Sequence, residues 1–291
     1  MASDLPRISV VTACLNRANF LDDALKSVLD QDYPAVEYVV VDGGSTDGSV
    51  EVIRRYEPRL AWWVSEKDNG HFHALNKGFA RTTGEVMAWL NSDDKYTPWA
   101  FQVVGEIFAT FPEVQWLTTL YPLIWDARGR ATRCKYTPGF SRRGFMRGEY
   151  LPRPGAYAPY WIQQESTFWR RSLWERAGGR VDESLRIAGD FELWARFFEH
   201  AELYGVATPI GGFRVHGDQL STTHLEKYVQ TCSDILSRHG GRPHGALPTR
   251  IMKSRAGRYL PRTIRRLLDV DHPTRTIEHK GPKVGWVISR T

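Results

Sequence analysis

The stretch Gly84 to Phe101 (GEVMAWLNSDDKYTPWAF) constrains the fold more than any other. Val86 to Leu90 is an apolar run too short for a core helix, so it reads as a strand buried on both faces. It ends in Asn91-Ser92-Asp93-Asp94, and Thr97-Pro98 then reads as N-cap and N1 of a helix running through Phe111. A buried strand with two adjacent carboxylates at its C-terminal end places them where open α/β sheets bind ligands. Adjacent carboxylates repel, so a cation belongs beside them. Oxygen donors with open positions suit Mg2+ or Mn2+ carrying a phosphate-bearing substrate. A plain acidic turn is the alternative, and the rest of the chain weighs between the two.

Upstream, Ile8 to Ala13 is a first buried strand, and Asn19 can cap a helix carrying Phe20, Leu21, Ala24, Leu25, Val28 and Leu29 at helical spacing. Val36 to Val41 is a second strand. The turn Asp42-Gly43-Gly44-Ser45-Thr46-Asp47-Gly48 leads from it into a helix over Ser49 to Tyr56. Strand, glycine turn and helix form the geometry that lets backbone N–H groups approach a nucleotide, and a tight β-to-α connection would need the same glycines. The turn carries neither G-x-G-x-x-G nor a Walker lysine, so neither a dinucleotide site nor a P-loop is indicated. Leu60 to Val64 is a third strand, and a helix follows from His71 to about Thr82. His71 and His73 point apart on it and make a poor metal pair. Val114 to Trp125 fits another strand or two. The order predicts a doubly wound α/β sheet.

From Ala127 to Tyr160 periodicity is weak and Arg, Gly, Pro and Tyr abound, so this region reads as an acceptor-side flap or a disordered insertion. A short helix over Arg171 to Ala177 and an amphipathic helix with Asp190 in its first turn follow. Capping at the helix dipole explains Asp190 adequately by itself. Val206 to Val215 reads as a last strand. No run approaches the roughly 20 apolar residues of a membrane span. The start of the chain lacks the pattern of a secretory leader, and three distant cysteines read as free thiols, which together suggest a cytoplasmic setting. A net charge of +6 suggests an anionic partner. The 11 tryptophans could stack sugars or bases, but core packing accounts for most of them.

Seven blocks in fixed order carry a resemblance: ISVVTACLNRANFLDDALKSVLDQDYP, VVVDGGSTDGS, SEKDNGHFHALNKGF, GEVMAWLNSDD, ESTFWRRSLWERAGG, GDFELWARF and FRVHGDQLS. Together they resemble family 2 glycosyltransferases of the GT-A fold, and are most similar to the bacterial branch that builds cell-surface polysaccharides. The resemblance implies a Rossmann-like mixed sheet, inverting transfer from a nucleotide sugar, usually UDP-linked, and Mn2+ or Mg2+ on the diphosphate. By position it implies that Asp42 lies in the base-contacting block, Asp68 beside the nucleotide, Asp93 near the ribose and Asp94 on the metal. Asp190 matches the general base, with Glu192 and Glu165 as the other carboxylates considered, and His216 a further metal ligand. Thr12, Asn16, Gly44, Gly70, Asn76, Lys77, Asn91 and Ser92 fall at nucleotide-sugar-facing positions. The chain departs from the family at Gly43, where a second acid is common, at His73 and Leu75, and at Gly189.

The implied organisation is a GT-A domain over residues 1–222, split at 125 into nucleotide-binding and acceptor-side halves. A basic, mainly helical extension follows over 223–291. In that extension Arg250, Lys253, Arg255, Arg258, Arg262, Arg265 and Arg266 interleave with Tyr259, Leu260, Ile264, Leu267 and Leu268. This pattern suggests contact with an anionic membrane holding a lipid-linked or glycan acceptor. A dimer contact is the alternative, nucleic acid is not expected, and Pro261 argues against one continuous helix. A catalytically silent nucleotide-sugar-binding partner on the same fold is the second functional reading. A nucleotidyltransferase is discounted, because Asn16-Arg17-Ala18-Asn19 stands where a triphosphate-binding glycine run would be.

Overall fold

Alternate residues of the central strands belong to different cores. Val11, Ala13, Val39, Val41, Met87 and Trp89 enter one apolar cluster. Ile8, Val10, Val40, Val86, Ala88 and Leu90 enter the other. A strand's period of two therefore buries both faces, as a sheet covered on two sides demands. The computed structural model describes residues 5–151, 161–217, 225–243, 261, 263 and 274–290.

The first strands and helices are β1 (Ile8–Cys14), α1 (Ala18–Leu29), β2 (Val36–Asp42), α2 (Ser49–Tyr56), β3 (Trp62–Ser65), α3 (His71–Phe79) and β4 (Val86–Trp89). Next come β5 (Lys95–Tyr96), α4 (Ala100–Thr110), β6 (Trp116–Thr119), β7 (Leu123–Trp125), β8 (Ala131–Cys134) and α5 (Arg142–Met146). The chain continues with β9 (Phe168–Arg170), α6 (Arg171–Arg176), α7 (Gly189–His200), β10 (Tyr204–Val206), β11 (Gly211–Arg214), α8 (Leu225–Arg238), β12 (Arg275–His279) and β13 (Trp286–Arg290). The large sheet runs β13-β12-β10-β6-β9-β4-β1-β2-β3, with β1 to β4 parallel and β9 antiparallel between β4 and β6. A second sheet, β5-β11-β7-β8, stands beside it. The doubly wound mixed sheet expected from the sequence is present.

The tryptophans explain themselves here. Trp89, Trp116, Trp169 and Trp194 are almost fully buried, and the Trp89 and Trp194 rings stack with centroids 5.9 Å apart. Truncating a ring in such a cluster costs about 3–5 kcal/mol, so these residues are framework rather than sugar platforms.

Four expectations are corrected. Helix α1 starts at Ala18 rather than being capped by Asn19, because Asp47 reaches across from the next loop to accept from the Ala18 N–H at 3.0 Å. Thr97 does not cap α4; its hydroxyl donates to the Ile210 carbonyl, and Gln31 Oε1 accepts from the Phe101 N–H instead. The single last strand over Val206 to Val215 is two strands in different sheets, interrupted around Pro209, whose ring nitrogen cannot donate to a ladder. The region after Ala127 is folded as far as Leu151, with β8, α5 and the buried Phe140, Phe145 and Tyr150 packed into the core. Residues 152–160 of the expected flap lie outside the described residues.

The helix expected beyond residue 222 is present as α8, and it is not a separate appendage. Its Cys232, Ile235 and Leu236 are buried in the core, and it packs on α7. The hairpin β12–β13, which no periodicity announced, adds two strands to the large sheet. The basic residues from Arg250 to Arg266 and their apolar neighbours lie outside the described residues. Among the described residues no helix is long and apolar enough to cross a membrane.

Candidate active site

The small sheet brings the acidic turn and the end of β11 together. Strand β5 begins immediately after Asp94 and pairs antiparallel with β11, Lys95 opposite Gly212 and Tyr96 opposite Gly211. Continuing that register would set Arg214, the last residue of β11, opposite Asp93. Two glycines make the approach possible. A Cβ at Gly211 would stand 2.3 Å from the Glu165 carbonyl oxygen, and one at Gly212 would stand 2.5 Å from Trp125 Nε1.

His216 Nε2 lies 3.0 Å from Asp93 Oδ2. Arg17 Nε, at the end of β1, lies 3.5 Å from the same oxygen. The His216 ring is packed against Phe20, with centroids 4.4 Å apart, and its Nδ1 is buried without a hydrogen-bond partner. Asp94 is placed differently. It is 1% exposed, its Oδ1 accepts from the Arg214 N–H at 2.7 Å and its Oδ2 from Asn91 Nδ2 at 3.0 Å. The sequence reading sets Asp94 on the metal and Asp93 near the ribose. Of the pair, it is Asp93 that meets His216.

The donor set fits a divalent cation. Carboxylate and imidazole donors about 3.0 Å apart match neighbouring corners of an octahedron with bonds of about 2.1 Å. Among the described residues no group of three or more His, Cys, Asp or Glu side chains is placed to hold a metal ion, so Asp93 and His216 are two donors and not a complete site.

Most other expected donor-side residues hold the loops. Asp42 is fully buried and accepts from the N–H groups of Gly44 (3.0 Å) and Ser45 (2.9 Å) and the hydroxyls of Ser45 and Ser65. Asn16 sits at φ 53° and accepts from the Thr46 N–H, tying the first loop to the second. Thr12 is buried between strands, bonded to the Leu90 carbonyl and Tyr38 hydroxyl. Asn76 joins α3 to Val181 and Glu183, and Lys77 pairs with Glu66. Ser92 is buried near Cys14, whose thiol burial pushes up to about 12. Gly44 and Gly70 take positive φ values of 86° and 117° that shape the two turns. Asp68 accepts from the Gly70 N–H, and a Cβ at Gly43 would stand 2.6 Å from its Oδ2. The family departure at Gly43 is thus matched: the Asp68 carboxylate fills the space that a side chain there would enter.

Asp190 opens the other side. It heads α7, whose preceding residue Ala188 takes the left-handed φ of 62°. Burial pushes the Asp190 carboxyl above its ordinary range, against hydrogen bonds from the Phe191 N–H and the Tyr228 hydroxyl. Glu192, the runner-up base, is engaged by Arg196 through both oxygens at 2.8 and 2.7 Å. Glu165 is buried. Burial, with the charges of Asp190 and Asp93 nearby, raises its carboxyl, and its Oε1 has no hydrogen-bond partner. Asp94 is raised too, by burial first and then by Glu165 and Asp93. Burial disfavours the charged form of both carboxyls, and for Asp94 the charge of Glu165 adds to that.

Sequence reasoning left Arg17 and Tyr228 without a role. Arg17 was recoverable, because it follows β1 at the same sheet edge as Asp93. Tyr228 had no motif around it.

The comparisons agree with this architecture. The family model for glycosyl transferase family 2 matches residues 9–138. The uncharacterized glycosyltransferase Rv1514c of Mycobacterium tuberculosis is 29% identical over 192 residues, covering 66% of this chain and 68% of that one. S. aureus TarS residues 1–349, solved in complex with UDP-GlcNAc, superposes with a TM-score of 0.60 at 16% identity, covering 87% of this chain and 75% of TarS. Glucosyl-3-phosphoglycerate synthase from Mycobacterium tuberculosis was solved with Mn2+, uridine diphosphate and phosphoglyceric acid. It gives a TM-score of 0.54 at 18% identity, covering 84% of this chain and 82% of the synthase. At such identities these structures speak to the fold alone. The matched block spans the loops after the first two strands and the Asp93-Asp94 turn; over residues 9–138 the chain is similar to glycosyltransferase family 2, and the fold around that block is similar to the fold of those solved glycosyltransferases.

Proposed function

We infer that the protein transfers a sugar, with inversion, from a nucleotide sugar, UDP-linked in our reading, to a hydroxyl of a glycan or lipid-linked acceptor in bacterial cell-surface polysaccharide synthesis. The observation that carries this reading is the division of labour across one floor. Asp93 and His216 stand on the nucleotide side, Asp190 stands on the other with a raised carboxyl pKa, and Glu165 is within electrostatic reach of Asp93 and Asp190.

In this reading Asp93 and His216 are the residues that would hold Mn2+ or Mg2+. The bound cation supplies positive charge to the leaving group. Arg17, beside Asp93, adds a fixed charge at the same edge. Asp190 acts as general base: its carboxylate takes the proton of the acceptor hydroxyl as the new bond from that oxygen to the anomeric carbon forms. The bond from the anomeric carbon to the diphosphate oxygen breaks in the same displacement. A carboxyl raised by burial is better matched to this task than one near its ordinary value.

Slow hydrolysis of UDP-glucose, UDP-galactose or UDP-GlcNAc by the purified chain is the test. It should stop with EDTA and fall roughly 10²-fold or more in Asp190→Asn, with donor affinity kept. Donor binding with no turnover in the wild type would instead favour a silent partner protein. The basic tail is proposed to rest on an anionic membrane beside its acceptor. Equal sedimentation with anionic liposomes before and after deletion of residues 244–273 would remove that part of the reading.

A further inference from the structure

Helix α8 lies beyond the residues that carry the family resemblance and beyond the block matched by the family model. One face of it carries Tyr228, Cys232, Ile235 and Leu236, at steps of four, three and one. Its last three are fully buried. That stripe docks the helix on α7 and leaves Tyr228, one turn nearer its N-terminus, over the first turn of α7. The Tyr228 hydroxyl reaches both oxygens of Asp190, at 3.2 and 3.3 Å.

We propose that Tyr228 is a positioning residue for Asp190, so that the C-terminal helix completes the transfer site instead of merely following it. A carboxylate at the head of a helix can turn about its Cβ–Cγ bond. A donor shared between its two oxygens fixes the plane of the group and leaves the outer lone pairs for an acceptor hydroxyl. The phenol is suited to the part, because burial, with Asp190 and Cys232 beside it, raises its pKa well above the ordinary value and keeps the proton on oxygen. The titratable groups facing Asp190 are Tyr228 and Cys232 from α8 and Glu165 from the turn over Gln164–Ser166. Of these, Tyr228 has a hydroxyl within hydrogen-bonding distance of both Asp190 oxygens.

This inference rests on Asp190 as the base, and the experiment separates the two ideas. Tyr228→Phe in the full chain keeps the ring and its packing, and an unchanged thermal midpoint verifies folding. Two readouts follow. Hydrolysis of the UDP-hexose that the wild type turns over should fall roughly tenfold, the scale of one hydrogen bond to a charged group. The acid limb of its pH profile should move to higher pH, since the lost donor favoured the charged carboxylate. On an Asp190→Asn background Tyr228→Phe should change nothing further, as a residue acting through another must. Independently of activity, the Asp190 carboxyl carbon, assigned by NMR with Asp190→Asn, should titrate at higher pH in Tyr228→Phe. A carboxyl that titrates unchanged, or an equal loss on both backgrounds, overturns the proposal. A shifted titration in a chain that turns over no UDP-hexose would uphold the contact while ending the transferase reading.

Discussion

The loop after β2 and the buried floor around Glu165 and Asp190 treat the same functional group in opposite ways. In the loop after β2, burial works to raise the Asp47 carboxyl, yet the donors of Ser49 and Ala18 outweigh it and hold the group below its ordinary range. Asp42 beside it is surrounded by two N–H groups and two hydroxyls. On the floor, Glu165 and Asp190 have fewer such donors, and burial wins. The loop carboxylates stabilise turns by accepting local hydrogen bonds. The floor carboxylates are costly to ionise, which makes them sensitive to charge and protons. A carboxylate's type therefore says little about its role until its donors are counted.

Asp93 and Asp94 straddle that boundary, and they give the sharpest way to break the comparison. Asp93 faces His216 and Arg17, whereas Asp94 faces inward to Glu165, Asn91 and the Arg214 N–H. Asp93→Asn should lower the Mn2+-dependent affinity for UDP by roughly tenfold or more, since even outer partners of a metal site cost that much. Asp94→Asn, nearly isosteric with the buried carboxyl, should leave that affinity within a few-fold. Calorimetric titration of UDP with and without Mn2+ measures both. A cation effect lost in Asp94→Asn and kept in Asp93→Asn would restore the original assignment and erase the boundary.

The same boundary marks what the sequence could disclose. Strand ends at Asp42 and Asp93, the glycine turn and the helix headed by Asp190 are local patterns, and they stood where periodicity and capping predicted. The floor is assembled from residues 94, 165, 190, 211 and 228, whose closeness depends on tertiary packing that no local pattern encodes. That Asp93 and not Asp94 meets His216 depends on the pairing of β5 with β11, β5 being a strand of two residues that no window resolves. The single strand expected over Val206 to Val215 hid that sheet. Tyr228 reaches Asp190 through a helix docked by Cys232, Ile235 and Leu236, so helical spacing could suggest its face but not its target.

The smallest expected effect tests the floor itself, through stability and not activity. Glu165 is raised in the folded chain by burial first, and Asp94 by burial with Glu165 beside it. A carboxyl with a raised folded pKa binds more protons folded than unfolded over the interval between its two pKa values. Its contribution is fully present below the unfolded value and is lost as pH rises through the folded one. Stability should therefore decline as pH rises from the ordinary carboxyl range through neutrality, by at most about 1.4 kcal/mol per pH unit for one proton. Glu165→Gln cannot ionise, so the part of that slope carried by Glu165 should disappear, while the part that burial of Asp94 and Asp190 causes should remain. Urea midpoints at mildly acidic and mildly alkaline pH measure it. Parallel declines in wild type and Glu165→Gln would mean that Glu165 ionises freely, and the contrast with the loop after β2 would lose its physical basis.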